Sequence, residues 1–530
     1  MNRGLRYLSS SLLAGALLGI CAAAHASDDL PRLNPLTALD SAKPATVYLW
    51  FSQTRGITAE PATDASAMEK LRYTWALPPG FTREKPRDLV TIVHNDQQDV
   101  LWGHESYPPG SLGGDVISVA IDGTTDREDG TRLFAPRPQD VLIFRDFILE
   151  MTRTIPCRRI IHYGLGEGGM FVTTFGGRFP ALSMGVIAHN SGAAELAATK
   201  GGVHGVPLVF LHGTDDEMFP LSRSFSARES YGFDGHKMAY VHVLPGWQDQ
   251  PAPYAVQQAV NTCVGLSTDD PAEALVRARS LLAAGPIVGK KPIPAAPALA
   301  MAVLRRVDLE PAKAFVRDPN VPGGGRTTSS FPKPFKTVSA PVREEAIALA
   351  AMIERACSDE LATLKTKMGT PELLKACADT GGDDATKLEA ATAMVMHLWL
   401  LREQLRGIDA FETLAATSGI DVLLSDRADA GEALVGKLAA KPPAKEGLEM
   451  IIAMASEVAG YHSVPFDLAG DMRAMANTSG VEPALGTRAR PLVDALERGR
   501  AEGVKRFAAT MDGIAARLST SLKDSSTNPR

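Results

Sequence analysis

Between Lys43 and about Val264 the chain alternates short apolar runs with stretches of helical periodicity, which predicts an α/β layer fold. The strand-like runs are 45–51, 71–76, 89–94, 116–121, 159–163, 185–189, 207–211 and 239–244. Several are nearly all apolar, as suits parallel strands covered on both faces; the first two read as a meander at the sheet edge. Residues 141–152 and 168–179 carry helical periodicity, and the second stretch opens on glycines. The expected architecture is a doubly wound, mostly parallel sheet.

After Val264 the pattern changes. Alanine-rich helical periodicity takes over with few strand signals, which predicts an all-α C-terminal domain. Asp270-Pro271 opens one helix and 294–305 carries another; further helices are expected over 342–368, 372–378, 386–405, 445–459 and 485–518. From Asp318 to Pro341 the chain is rich in Pro, Gly, Ser and Thr, including Gly323-Gly324-Gly325, the composition of an exposed linker. The layout is then a first domain over 27–265, a helical extension and linker over 266–341, a helical domain over 342–522 and a disordered tail over 523–530.

Residues 1–26 stand apart from this pattern. Arg3 and Arg6 precede an apolar run from Leu12 to Ala24, which ends at Ala24-His25-Ala26, a small-x-small cleavage site; this reads as a secretory signal peptide. That run is too short to span a bilayer, and no later segment offers about 18 uninterrupted apolar residues, so a secreted or periplasmic chain without a membrane span is expected. The formal net charge is −6, and removing the leader takes away two arginines and no acid. A mildly acidic chain without a basic stripe does not predict nucleic acid as a partner.

Cys157, Cys263, Cys357 and Cys377 remain after cleavage, an even number that permits disulfides in an exported chain. Ala350, Ile353, Cys357, Leu361, Leu364 and Met368 recur at three- and four-residue steps, which puts Cys357 on an apolar helix face. Leu374 and Cys377 share a face too, so Cys357–Cys377 is the expected pair. Two buried unpaired thiols are the alternative.

The segment from Arg159 to Met170, with Gly164-Leu165-Gly166-Glu167-Gly168 at its centre, runs strand, sharp turn, helix. It resembles the nucleophile elbow of the α/β-hydrolase superfamily, where the motif is G-x-S-x-G. In that alignment Gly164 and Gly168 are the flanking glycines and Gly166 stands at the serine position. Downstream, the stretch from Pro207 to Pro220 with His212-Gly213-Thr214-Asp215-Asp216 looks like the superfamily's acid loop, with Asp216 at the triad position, as in esterases and dienelactone-hydrolase-like proteins. The loop from Val243 to Pro251 resembles the one that presents the histidine, but Gln248 and Asp249 stand where it should be. Upstream, the strand ending at His94-Asn95 looks like the approach to the oxyanion loop, where the superfamily usually has His-Gly.

A serine hydrolase needs an oxygen nucleophile, a base and an acid that orients the base. Of these only Asp216 remains, and its structural reading is a loop acid that caps backbone N–H groups. The positions Gly166, Asp216 and Asp249 are therefore expected to be vestigial. Glycine also relieves the strain of the elbow and opens the cleft floor. Candidate ligand contacts there are His94, Asn95, Trp102, Glu167, His189 and Trp247. No metal site or cofactor is expected, since His94, His189 and His212 lie on separate strand ends without paired ligand spacing.

The expectation is an exported, non-catalytic α/β-hydrolase-like module that binds a small acyl or sugar ligand in the remnant cleft, or a protein partner through its helical domain. The competing readings are an exported carboxylic-ester hydrolase with another nucleophile, such as Ser191, and a structural envelope protein.

Overall fold

The computed structural model describes residues 45–50, 68–78, 81–82, 84–95, 98–126, 132–192, 206–233, 238–286, 293–307, 334–368, 384–418 and 483–527. The leader, the helices expected over 372–378 and 445–459, and Cys377 lie outside the described residues.

Eight strands form one sheet: β1 (Ala45–Trp50), β2 (Met68–Ala76), β3 (Arg87–Val93), β4 (Val116–Ile121), β5 (Cys157–Leu165), β6 (Gly185–His189), β7 (Leu208–Gly213) and β8 (Ala239–Leu244). All eight correspond to runs read from the sequence. Their spatial order is β1-β2-β4-β3-β5-β6-β7-β8. β2 runs antiparallel to both neighbours, and all pairings from β4 to β8 are parallel. A mostly parallel sheet with one reversed strand near its first edge, wound on both faces, is the α/β-hydrolase-like fold.

Alternation along the central strands feeds two apolar layers. Leu89, Val93, Ile160, Val186, Ala188 and Phe210 face one layer, while Val90, Ile92, Ile161, Ile187, Val209 and Leu211 face the other. The first is covered by α2 (Pro138–Thr154), α3 (Glu167–Arg178) and α4 (Ser222–Phe233), the second by α1 (Val100–Ser106) and α5 (Pro253–Ser267). The sequence pattern did not announce α1, α4 or α5. α1 is a short helix started by Asp99, whose side chain accepts from the Leu101 and Trp102 amides.

The C-terminal part is helical, as expected: α6 (Pro271–Ser280), α7 (Pro297–Leu304), α8 (Ala340–Met368), α9 (Asp384–Gln404), α10 (Asp409–Ser418) and α11 (Pro483–Thr527). The last helix runs through Lys523–Thr527, which corrects the expected start of a disordered tail at 523; neither Gly nor Pro interrupts the chain there before Pro529. The apolar layer under α4 continues without a break into these helices through Ile353, Trp399 and Phe507, and Trp399 meets Phe225 edge-on at 4.1 Å between ring centroids.

Polar contacts join the same surfaces. Arg228 on α4 pairs with Glu403 on α9, both buried. Gln404 accepts from the Val243 amide at 3.0 Å through Oε1 and donates from Nε2 to His242 Nδ1 at 2.8 Å, while His242 Nε2 donates to Gln258 Oε1 at 3.1 Å. Cys157, Cys263 and Cys357 are free thiols, with Cys263 and Cys357 buried. Among the described residues no helix is long and apolar enough to cross a membrane.

Candidate functional site

The turn after β5 has the backbone of a nucleophile elbow. Gly166 sits at φ 55°, ψ −120° between the strand and α3, a region that L side chains rarely adopt. Its amide donates to the His189 carbonyl at 2.9 Å, tying the turn to the end of β6. The flanking glycines are required by contact: a Cβ on Gly164 would fall 2.1 Å from the Gly168 carbonyl oxygen, and one on Gly168 would fall 2.3 Å from that of Val93. The spacing read from the sequence thus corresponds to a strand, a strained turn and a helix packed tightly together.

The loop after β3 comes up against this turn. A Cβ on Gly166 would fall 2.3 Å from Asn95 Oδ1, 2.6 Å from its Cγ and 2.9 Å from its Nδ2. Asn95 Oδ1 accepts from the Glu167 amide at 3.3 Å, and the Asn95 amide donates to Gln98 Oε1 at 3.0 Å. In an α/β-hydrolase the oxyanion hole consists of the amide after the nucleophile and one from the loop after the third strand. Here both corresponding N–H groups, of Glu167 and Asn95, are bonded by side chains of the chain itself. His94 Nδ1 donates to the Asn95 carbonyl at 2.8 Å, and its Nε2 lies 3.3 Å from Asp122 Oδ1, which accepts from the Val100 amide at 2.7 Å.

Asp216 follows β7, two strands from the elbow with β6 between. Its Oδ1 accepts from the amides of Met218 at 2.8 Å and Phe219 at 3.0 Å, so it caps its own loop. Oδ2 is buried without a hydrogen bond and lies 3.7 Å from His212 Nε2. Burial raises the Asp216 pKa, the two amides oppose that, and the charges of Asp249 and Glu217 add to the rise. Asp249 therefore approaches the acid from the loop where a triad histidine would sit, but as a like charge that cannot take a proton from a hydroxyl and hold it as an imidazole does. Asn190, at φ 45°, braces these loops: Oδ1 accepts from the Gly213 amide at 2.8 Å and Nδ2 donates to the Gln248 carbonyl at 2.6 Å.

A second Ser, His and Asp grouping lies beneath. His212 Nδ1 is 2.6 Å from Ser224 Oγ, but its Nε2 donates to the Phe219 carbonyl at 2.6 Å, nearer than Asp216. Ser224 and His212 have no solvent exposure, so this grouping is a buried brace between β7 and α4. Ser191 is also fully buried, and its hydroxyl donates to the Gly192 carbonyl at 2.8 Å, with no histidine bonded to it among the described residues.

His189 points away from the elbow into the layer under α1 and α5. Its Nδ1 lies 3.0 Å from Tyr163 Oη, which is 2.5 Å from Tyr107 Oη. Burial lowers the His189 pKa to about 3, so the ring is neutral, and its Nε2 has no hydrogen-bond partner. Trp102 on α1 stands edge-on to Tyr107, with ring centroids 6.0 Å apart. Trp247 is 1% exposed and belongs to the same apolar layer. Of the expected contact residues, the fold thus brings Asn95 and Glu167 together at Gly166, turns the His94 ring to Asp122, and sends the side chains of His189 and Trp247 into the core. Among the described residues, no group of three or more His, Cys, Asp or Glu side chains is arranged to hold a metal ion.

Three participants were not singled out from sequence. Gln98 stands three residues from Asn95, a spacing at which a loop side chain returns to a backbone amide. Asn190 follows a strand directly, a position where Asn tolerates left-handed angles. Arg500 on α11 donates to the Thr214 carbonyl in the acid loop across 286 residues, and no sequence signal points to that contact.

No protein-family model and no curated protein matches the chain. Among solved structures, Est1E from Butyrivibrio proteoclasticus is similar over 37% of this chain and 95% of that one, with 12% identity and a TM-score of 0.30. A ferulic acid esterase is similar over 41% and 95%, with 15% identity and a TM-score of 0.32. An acylaminoacyl peptidase of Pyrococcus horikoshii is similar over 36% and 37%, with 14% identity and a TM-score of 0.27. At such scores the fold assignment rests on the strand order and elbow of this chain.

Proposed function

We propose that this protein is an exported α/β-hydrolase-like module that does not hydrolyse esters and that uses the fold to bind. The observation that carries the reading is Gly166: the backbone of the nucleophile position is kept in its strained form while the position holds no atom that attacks. Loss of the nucleophile or the base alone costs a serine protease about 10⁶ in kcat. What remains is a scaffold with loops at the carboxyl ends of its strands, where open α/β sheets bind ligands. The binding partner in this reading is a small acyl or sugar compound at the remnant cleft, or a protein on the helical part, and the signal-like leader carries the chain out of the cytoplasm.

The test is labelling of the purified full chain with a fluorophosphonate probe beside p-nitrophenyl acetate turnover. No labelling and no turnover above a heat-denatured control is expected. Stoichiometric labelling together with inhibitable turnover overturns the reading.

A further inference from the structure

A glycine at the elbow leaves space, and here that space is filled from within the chain. The Asn95 carboxamide lies so close to Gly166 that a Cβ there would meet three of its atoms at 2.3 to 2.9 Å, under the 3.0 Å that real Cβ contacts respect. Asn95 is held at each backbone polar group, its amide by Gln98 Oε1 at 3.0 Å and its carbonyl by His94 Nδ1 at 2.8 Å, and it is 4% exposed. A residue whose backbone is fixed on both sides is not an accidental neighbour. Its Oδ1 faces the Glu167 amide at 3.3 Å, at the N-terminus of the 12-residue helix α3.

We propose that Asn95 is a ligand carried in cis. Its primary amide takes the place of the absent nucleophile side chain and offers its carbonyl oxygen to the Glu167 N–H, as an acyl oxygen would lie in an oxyanion hole. Residues 95 and 166 are then alternative occupants of one space, and the class of compound that fits the vacated place is a small primary amide. The inference rests on the non-catalytic reading of Gly166, because a working elbow would need the same space for its tetrahedral intermediate.

The test is a double-mutant cycle on the full chain with Asn95→Gly, Gly166→Ala and the double variant, read by urea unfolding. Gly166→Ala should raise the unfolding equilibrium constant about tenfold more with Asn95 present than with Asn95→Gly, the coupling of two groups that contend for one site. Equal penalties in both backgrounds overturn the proposal. Should Gly166→Ala fail to fold, the second measurement uses only Asn95→Gly. Acetamide, which is the side chain that variant lacks, should raise its thermal midpoint in a dose-dependent way and leave the wild-type midpoint unchanged. A response equal to that of the wild type, or a response to acetate with none to acetamide, refutes the amide assignment. Ester turnover by the wild type would sink the underlying reading whatever the cycle shows, whereas an additive cycle in an inactive protein sinks only the occupancy.

Discussion

Restoring the serine alone should not restore hydrolysis, and the structure gives the size of the obstacle. Gly166→Ser places a side chain at φ 55°, ψ −120°, which costs a non-glycine residue about 1–3 kcal/mol. The new Cβ would lie 2.3 Å from Asn95 Oδ1, so Asn95 must move and give up its bond to the Glu167 amide, roughly a further 1 kcal/mol. The variant should therefore be about 2–4 kcal/mol less stable than the wild type. Its hydroxyl would also lack a base, because the loop opposite Asp216 presents the exposed Gln248 and Asp249. Asp216 Oδ2 still has no hydrogen-bond partner, so an imidazole introduced by Asp249→His, or by Gln248→His, has an acid to orient it. Initial rates with p-nitrophenyl acetate should stay at background for Gly166→Ser, rise first in the variant that also carries the histidine, and fall back when Asp216→Ala is added. Inhibitable turnover by Gly166→Ser alone would refute the reasoning, since it would mean that a base already stands at the elbow.

Two further outcomes are expected. Glu403→Ala takes the Glu403 carboxylate away from Arg228, which is 5% exposed, and should lower stability by about 3–5 kcal/mol in urea titrations, with a loss under about 1 kcal/mol counting against a tight seam between α4 and α9. Burial holds His162, His212 and His242 at about 4 and His189 at about 3, all below the value near 6.5 of an unfolded chain. Unfolding below that value takes up protons, so their stability contribution is whole above pH ~6.5 and is lost as pH falls toward 4 and then 3, at up to about 1.4 kcal/mol per pH unit for each histidine. Urea midpoints should drop clearly between pH 7.5 and pH 5; an unchanged midpoint would contradict neutral burial of these rings.

The central strands were legible because several are nearly all apolar, and a parallel strand covered on both faces has almost no other way to appear. The three missed helices that pack on the sheet have weak or misleading patterns. α1 is seven residues long and depends on its Asp99 cap, α4 is mostly polar, and α5 is buried nearly all round and so shows no one-sided stripe. The elbow and the acid loop were legible for a different reason: glycine spacing encodes how closely backbones must approach, as Gly164 and Gly168 do. What occupies the elbow was not legible. Asn95 and Glu167 are 72 residues apart, and only the β3–β5 pairing brings the two loops together.

The Gln404 contact has a consequence for solubility. β8 pairs with β7 on one side and, among the described residues, ends the sheet, a position at which uncovered backbone groups invite pairing with a strand that comes alongside. Native proteins guard such strands, and here the guard is a side chain from the helical part, whose Oε1 takes the Val243 N–H while α9 lies along the strand. The C-terminal helices thus shield the sheet against strand addition. A chain cut after Val307 would keep the elbow and the acid loop yet leave β8 open to pairing with a second copy, and edge-to-edge aggregation is the fate that α9 prevents.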